Sequence, residues 1–116
     1  MVATLMDYRL SKEERLNKKD FRGIKWTRGR ETEHFILLLH KNQDSVKKIG
    51  VTIRKKVGGA VLRNRMRRLI KEFFRLNKNL FRDCNNHLVK VKKLPEKQKW
   101  NTIKEELKIL LGGNAV

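Results

Sequence analysis

Residues 54–75 read RKKVGGAVLRNRMRRLIKEFFR, and this stretch is the most informative part of the chain for both fold and function. Gly58 and Gly59 free the backbone to turn, and a period of 3.6 residues follows them. The stretch therefore predicts a helix with one apolar face and one cationic face. The apolar residues expected to pack inward are Leu62, Met66, Leu69, Ile70 and Phe73.

Positive charge is concentrated in the same region. The chain has 30 Lys and Arg against 12 Asp and Glu, a net charge of +18 on 116 residues. Eleven basic residues lie between Arg54 and Arg82, and the one acid among them is Glu72. Salt bridges within the helix cannot balance these cations, and their mutual repulsion weakens the helix unless an anion relieves it. This favours a nucleic-acid surface over a merely solvated charged face.

The composition of the cationic face favours RNA over DNA. Residues 63–75 hold five Arg and one Lys, and guanidinium groups suit bidentate phosphate contacts. A helix that reads DNA base edges usually mixes Asn, Gln and Ser with Arg near its start, whereas this one offers mainly cations around Asn64. Recognition of backbone and shape fits better, and structured RNA is commonly bound in that way.

Length and composition predict one domain over residues 1–116, with residues 1–12 as a flexible amino-terminal arm. Hydrophobic residues make up 39% of the chain, which is enough for one modest core. The longest apolar runs are far shorter than the ~20 residues that a bilayer helix needs, and no signal peptide is recognisable. We therefore expect a cytoplasmic protein that has no membrane partner.

Side chains with the spacing of a protein active site are missing from the sequence. Cys84 is the single cysteine, so an internal disulfide or a Cys-based metal cluster is excluded, and a structural or surface thiol is expected. His34, His40 and His87 lack metal-ligand spacing. The sequence shows neither a phosphate loop nor a nucleophile elbow. We predict no catalytic residues and no protein metal ligands.

The remaining chain predicts an α/β layer domain of helix, strands, helix, strand, helix. A first helix over about 17–25 begins at Asn17, and Gly29 ends that region. FILLLH (35–40) and IGVTIR (49–54) read as strands, with Trp26 and Thr27 as a possible earlier strand edge and 41–48 as a hairpin loop. LVKV (88–91) is a further strand. Trp100, Ile103, Leu107 and Leu110 mark a last helix that Gly112 and Gly113 stop.

The central motif narrows the predicted function to one protein family. KKVGGAVLRNRMRRLIKEFFR (55–75), preceded by GVTIR, resembles the signature of the protein subunit of bacterial ribonuclease P, and the triplet Arg63-Asn64-Arg65 is the hallmark of that family. The resemblance extends upstream through RLNKKDF (15–21) and FILLL, and downstream through LVKVKK to the last helix. It covers nearly the whole chain.

The resemblance implies an α/β fold, an α+β two-layer sandwich of element order αβββαβα with a central mixed sheet. It also implies a left-handed βαβ crossover through the basic helix, as in the second domain of a small-subunit ribosomal protein. Sequence reasoning alone would have predicted a right-handed crossover.

The resemblance further implies a subunit of a ribonucleoprotein endonuclease that removes the 5′ leader of precursor tRNA. In that family the RNA subunit catalyses phosphodiester hydrolysis with bound Mg²⁺, and the protein supplies affinity and substrate positioning. Its partners would be ribonuclease P RNA and precursor tRNA, with one protein per RNA. The positions that match the motif docking on the catalytic RNA are Lys55, Lys56, Arg63, Asn64, Arg65, Arg67, Arg68, Lys71 and Arg75.

A cleft between the first helix and the sheet is implied as the binding site of the single-stranded leader. Phe21 matches an aromatic position of this cleft, although an aromatic residue on an amphipathic helix can equally pack into the core. Stacking of bases on an aromatic face is tolerant of sequence, which suits a variable leader. The other positions assigned to the cleft are Trp26, Ile36, Leu38 and Thr52.

Three other functions compete with this one. A ribosomal or general structured-RNA-binding protein is the main alternative, because small basic α/β domains are common in ribosomes. Weak nuclease or chaperone-like activity of the isolated protein is disfavoured by the lack of paired acids or supported histidines. A transcription factor is disfavoured by the lack of a helix-turn-helix pattern.

Overall fold

The structure is a computed structural model and describes residues 14–16, 25–42, 47–82, 84–96 and 98–112. Four strands and two α-helices lie in these ranges. They are β1 (Thr27–Glu31), β2 (Phe35–Lys41), β3 (Lys48–Ile53), α1 (Ala60–Leu76), β4 (Asn85–Val91) and α2 (Trp100–Leu110), with 3₁₀ turns at Lys55–Val57 and Lys78–Leu80.

The four strands form one mixed sheet of order β1-β2-β4-β3. β4 pairs antiparallel with β2 and parallel with β3, so the last strand of the sequence lies inside the sheet. Segment 41–48 is therefore not a hairpin loop, and that prediction was wrong: it links two strands between which β4 is inserted. The polar composition of the segment indicated a surface connection and carried no information about pairing.

The central mixed sheet and the α/β class expected from the resemblance are confirmed. The expected first helix falls largely on residues 17–24, outside the described residues. Gly29, which was expected to end that region, lies within β1, where a Cβ would lie 3.2 Å from the Leu37 carbonyl oxygen. The β1–β2 register shifts between Arg28 and Glu31, so the close approach belongs to an irregular part of the ladder.

Both described helices pack on one face of the sheet and enclose the core. Strand residues alternate between the two faces, and the core face carries buried aliphatic and aromatic side chains. From the strands the core includes Phe35, Leu37, Ile49, Ile53, Val89 and Val91. From the helices it includes Met66, Ile70, Phe73, Phe74, Ile103, Leu107 and Leu110.

The apolar stripe of α1 differs from the predicted stripe at both edges. Met66, Ile70 and Phe73 are buried as predicted, and Leu69 packs against the core. Leu62 is 45% exposed, so the prediction that it packs inward was wrong. Phe74, which was not predicted, is fully buried against Phe81 with ring centroids 4.6 Å apart. The stripe is thus rotated towards Phe74, because the end of α1 faces the segment that leads into β4.

His87 is a buried polar residue at the centre of the sheet. Its Nε2 accepts a hydrogen bond from the Arg82 backbone N–H at 3.0 Å, and its Nδ1 donates to the Lys48 carbonyl oxygen at 3.1 Å. Burial lowers its pKa to about 4, and the positive charges of Lys47 and Arg82 act in the same direction. The imidazole is therefore neutral near pH 7 and joins β3 to the segment before β4.

Candidate RNA-binding surfaces

The start of α1 is built on two glycines with different roles. A Cβ at Gly58 would lie 2.3 Å from Leu94 Cδ1, so this position lets Leu94 approach the backbone. Gly59 is the N-cap residue, and a Cβ there would meet nothing within 4 Å. The helix begins without a side-chain cap and without an acidic residue in its first turn. Its first amide groups are thus available to an anion.

The nine residues matched to the RNA-docking motif lie on the 3₁₀ turn before α1 and along the solvent-facing side of that helix. Five of them are exposed and four are half-buried. The exposed ones are Lys55, Lys56, Asn64, Arg65 and Arg68, and the half-buried ones are Arg63, Arg67, Lys71 and Arg75.

Residues of the Arg63-Asn64-Arg65 triplet point to different sides of the helix. Arg63 Nε donates to the Gly58 carbonyl oxygen at 3.0 Å, which holds the guanidinium beside the glycines. Asn64 Oδ1 accepts from Arg67 at 3.1 Å. Arg65 reaches the other side, where Nη2 lies 3.3 Å from the Gln98 carbonyl oxygen. The triplet therefore places cations on both flanks of the helix start.

A second group of cations lies further along α1. Burial lowers the pKa of the Lys71 ammonium, and the nearby positive charges of Arg15 and Arg67 lower it further. Arg15 forms an isolated bridge with Ile49, which brings this part of the amino-terminal segment alongside β3. Such closely grouped like charges are relieved by an anion. Sequence reasoning missed Arg15, because only the pairing with β3 brings it near the helix.

Arg75 differs from the other docking positions. Its side chain is 13% exposed and forms an ion pair with Glu72, one turn earlier on the same helix. A largely buried guanidinium that already has an acidic partner offers less to RNA than Arg68 does. Its assignment to the docking surface stays a prediction.

The leader-cleft residues that the structure describes lie on the face of the sheet opposite α1 and α2, here called the outer face. Ile36 and Thr52 both pair with Lys90, so the three form one row across β2, β4 and β3. Leu38 lies in the next row, opposite Leu88. Phe21 lies outside the described residues.

Trp26 stands at the edge of this outer face. Its ring contacts His40 edge-on, with centroids 6.0 Å apart, and His40 pairs with Asn86 of β4. The structure thus brings four of the five assigned cleft residues to one side of the sheet. Lys90 and His40 were missed as members of this face, although the alternation of strand residues could have identified both.

No group of three or more His, Cys, Asp or Glu side chains that could hold a metal ion occurs within the described ranges. Cys84 is a free, half-buried cysteine at a left-handed backbone position, with φ of 57°. None of the helices described is long and apolar enough to cross a membrane.

The chain is similar to known proteins over most of its length. The family model described as Ribonuclease P matches residues 10–113. The ribonuclease P protein component of Geotalea uraniireducens is 38% identical over 106 residues, covering 89% of this chain and 92% of the relative. That of Syntrophus aciditrophicus is 36% identical over 104 residues, covering 88% and 87%.

A solved structure shares the fold as well. The ribonuclease P protein from Thermotoga maritima superposes with a TM-score of 0.75 at 30% identity, covering 84% of this chain and 94% of that one. Sequence and structure agree on one family, as the central motif indicated. The chain therefore belongs to the ribonuclease P protein family, which gives it the function of a protein component in tRNA 5′-end processing, with ribonuclease P RNA as its partner.

Proposed function

We propose that α1 and the turn before it dock on ribonuclease P RNA, while the outer face of the sheet holds the 5′ leader of precursor tRNA. The charge of α1 supports its docking on the RNA. The turn before α1 carries exposed Lys55 and Lys56, and α1 itself carries exposed Arg65 and Arg68 among half-buried cations. Glu72 is the one acid on that helix, and it is already paired with Arg75. A surface of this kind is neutralised by phosphate.

The contacts within α1 support a positioning role for its cations. Arg63, held by Gly58, and Arg65, held by the carbonyl oxygen of Gln98, project from opposite flanks of the helix start. Guanidinium groups held in this way lose less conformational freedom when they bind phosphate than freely rotating side chains would. The triplet would therefore set the register of the protein on the RNA, and the remaining cations would supply affinity.

The outer face supports leader binding. Ile36, Leu38 and Thr52 are half-buried neighbours in a sheet, and Lys90 supplies a positive charge between Ile36 and Thr52. Apolar side chains interleaved with a cation suit a single strand, whose bases and phosphates alternate. Phe21 and Trp26 would add aromatic surface at the margin of this face.

Phosphodiester hydrolysis is assigned to the RNA subunit. The Mg²⁺ ions would be held mainly by the RNA, where they would activate water for attack on the phosphate. The protein would act as one subunit per RNA in the cytoplasm, as a single domain over residues 1–116. Its contribution is to neutralise phosphate repulsion and to hold the leader.

Cleavage of a leader-bearing precursor tRNA by a bacterial ribonuclease P RNA tests this proposal. The reaction is run at low Mg²⁺ with RNA alone, protein alone and both together. We expect cleavage at the mature 5′ end only when both are present, because the protein replaces part of the screening that Mg²⁺ supplies. Cleavage by the protein alone would overturn the assignment of catalysis. Binding of the RNA without any gain in cleavage would favour a general RNA-binding protein instead.

A further inference from the structure

An open groove of about 390 Å³ lies beside the start of α1, between the first turns of that helix and the segment that joins β4 to α2. One wall carries Leu62 and Arg65, which are three residues apart and so lie on the same side of the helix. The other wall carries Gln98 and Lys99, the last residues before α2. None of these groups belongs to the outer face of the sheet.

The floor of the groove is apolar and fixed. Leu94 packs against the core and fills the space that the missing Cβ of Gly58 leaves, and Pro95 beside it is buried. On the helix wall Leu62 is 45% exposed, and its neighbour Val61, outside the groove, is 80% exposed. Two exposed aliphatic residues at the start of a highly cationic helix are unusual, because such side chains are normally packed inward.

The polar groups of the groove divide into cations and acceptors. Arg65 and Lys99 are exposed cations at its rim. Glu96 is an exposed acid that lines the groove. The side-chain oxygen of Gln98 is buried and is therefore closed to a ligand. A site for phosphate alone would not include a carboxylate.

We propose that this groove binds one unpaired nucleotide of the catalytic RNA, with a guanine base. The phosphate would lie against Arg65 and Lys99, and the base would lie against Leu62 and Pro95. The N1–H and N2–H groups on the Watson–Crick edge of the base would donate to the two oxygens of the Glu96 carboxylate. Guanine presents two adjacent donors on that edge, which match the two oxygens of one carboxylate, and unpaired bases are the parts of RNA that proteins read in this way.

The inference rests on the proposed docking of α1 and extends that surface. Arg65 belongs to both: its backbone is in the docking helix, and its guanidinium lies on the Gln98 carbonyl oxygen at the groove. An RNA strand that follows the cations of α1 therefore reaches the groove without leaving the protein surface. The segment before α2 would then be part of the RNA interface.

Variants at the groove test the proposal in the complex of full-length protein with a bacterial ribonuclease P RNA. Leu62→Ala should weaken binding about five-fold without changing its salt dependence, because an exposed apolar contact is lost. Lys99→Ala should weaken binding and reduce the salt slope by about one. Lys108→Ala is the matched control, since it removes one positive charge from the other end of α2. The proposal is wrong if Leu62→Ala and Lys99→Ala both bind like Lys108→Ala.

Chemical probing identifies the base. Kethoxal, which reacts with N1 and N2 of unpaired guanine, should be excluded from one guanine of the RNA by the wild-type protein. Glu96→Gln should restore reactivity at that guanine even though the variant carries one negative charge fewer. If Glu96 acted through its charge alone, Glu96→Gln would bind the RNA more tightly and the protection of that guanine would be unchanged. This result would overturn the base assignment, and so would protection of a different base only.

Arg68→Ala separates the two proposals, because Arg68 is an exposed docking residue that does not line the groove. If Arg68→Ala weakens binding and the groove variants do not, the docking proposal stands and the groove proposal fails. If none of them weakens binding, docking through α1 fails as well.

Discussion

The Glu106 carboxylate on α2 accepts hydrogen bonds from both the backbone N–H of His34, at 2.9 Å, and its ring Nδ1, at 2.8 Å. It also accepts from the Thr32 hydroxyl at 2.6 Å. Burial by itself raises the pKa of this carboxyl, but the hydrogen bonds from Thr32 and His34 outweigh burial and leave it below its ordinary value. One side chain thus fastens the last helix to the turn between β1 and β2.

Glu106→Ala should lower the free energy of unfolding by about 2 kcal/mol, because three hydrogen bonds to a carboxylate are lost. The backbone N–H and the ring Nδ1 of His34 are then left unsatisfied in a partly buried turn. Urea denaturation followed by circular dichroism measures the change. Glu105→Ala is the matched control, since the neighbouring carboxylate is 68% exposed and lies 3.9 Å from Lys108. Equal losses for the two variants would contradict this account of the contact.

Acid should destabilise the protein through His87. The folded state holds the pKa of this imidazole near 4, whereas the unfolded chain binds a proton near the ordinary value of 6.5. Between these pH values the unfolded state therefore binds more protons than the folded state. The contribution of His87 to the free energy of unfolding is complete above pH 6.5 and is lost as the pH falls towards 4. The slope should approach about 1.4 kcal/mol per pH unit.

NMR titration of the His87 ring is the direct check, with an expected midpoint near pH 4. Denaturation curves of His87→Gln should show a weaker pH dependence over the same interval than those of the wild type. An ordinary midpoint near 6.5 would mean that the ring is accessible to water in the folded state.

Removing exposed cations from α1 should weaken RNA binding in a salt-dependent way. Arg65→Ala and Arg68→Ala each remove one proposed phosphate contact, so each should flatten the dependence of log K on log salt by a little under one unit. Binding to ribonuclease P RNA measured at several salt concentrations provides both affinity and slope. Unchanged slopes would refute the docking assignment.

Lys90→Ala should impair binding of precursor tRNA more than binding of mature tRNA, because Lys90 lies between Ile36 and Thr52 on the outer face. Phe21→Ala should have the same selective effect if that ring lines the cleft. Lys93→Ala is a suitable control, since Lys93 is exposed beyond the end of β4 and pairs with Glu33. The measurement is affinity of the assembled holoenzyme for both RNAs, and equal losses for both would contradict leader binding.

Gly58→Ala and Gly59→Ala should differ in stability although the residues are neighbours. The added methyl at Gly58 displaces Leu94, which also packs against the core, and should cost about 1 kcal/mol. The methyl at Gly59 enters open space. Ala is a poorer N-cap than Gly, but it also restricts the unfolded chain, so the net loss should be a few tenths of a kcal/mol. Thermal unfolding of the two variants measures the difference.

The sequence predicted the elements of this fold better than their arrangement. The strands near 35–40 and 49–54 and the last helix from Trp100 to Leu110 appear within a residue or two of their predicted bounds. Strand order was not readable, because apolar alternation shows that a strand has a buried face but not which strand lies beside it. The insertion of β4 between β2 and β3 therefore contradicted the predicted hairpin.

The candidate site divides in the same way. Arg63, Asn64 and Arg65 were assigned to RNA docking from the motif, and the structure places them at the start of α1. Their docking on RNA stays a prediction. The groove beside them was not predicted, since Leu62 was assigned to the core and Glu96, Gln98 and Lys99 lie more than 30 residues away in sequence. Such a surface is formed by tertiary contacts, so the local periodicity of the sequence does not predict it.

The inner position of β4 has a consequence for the order in which the protein is made. When the ribosome has synthesised α1, β2 and β3 still lack the strand that joins them, and their facing edges are open. The residues of the cationic helix are therefore synthesised before the sheet that supports them can close. Closure requires residues 85–91 to insert between two earlier strands, a non-local step that is slow compared with helix formation. An RNA that encountered the nascent chain at this stage would have access to its phosphate-binding residues before the protein had folded.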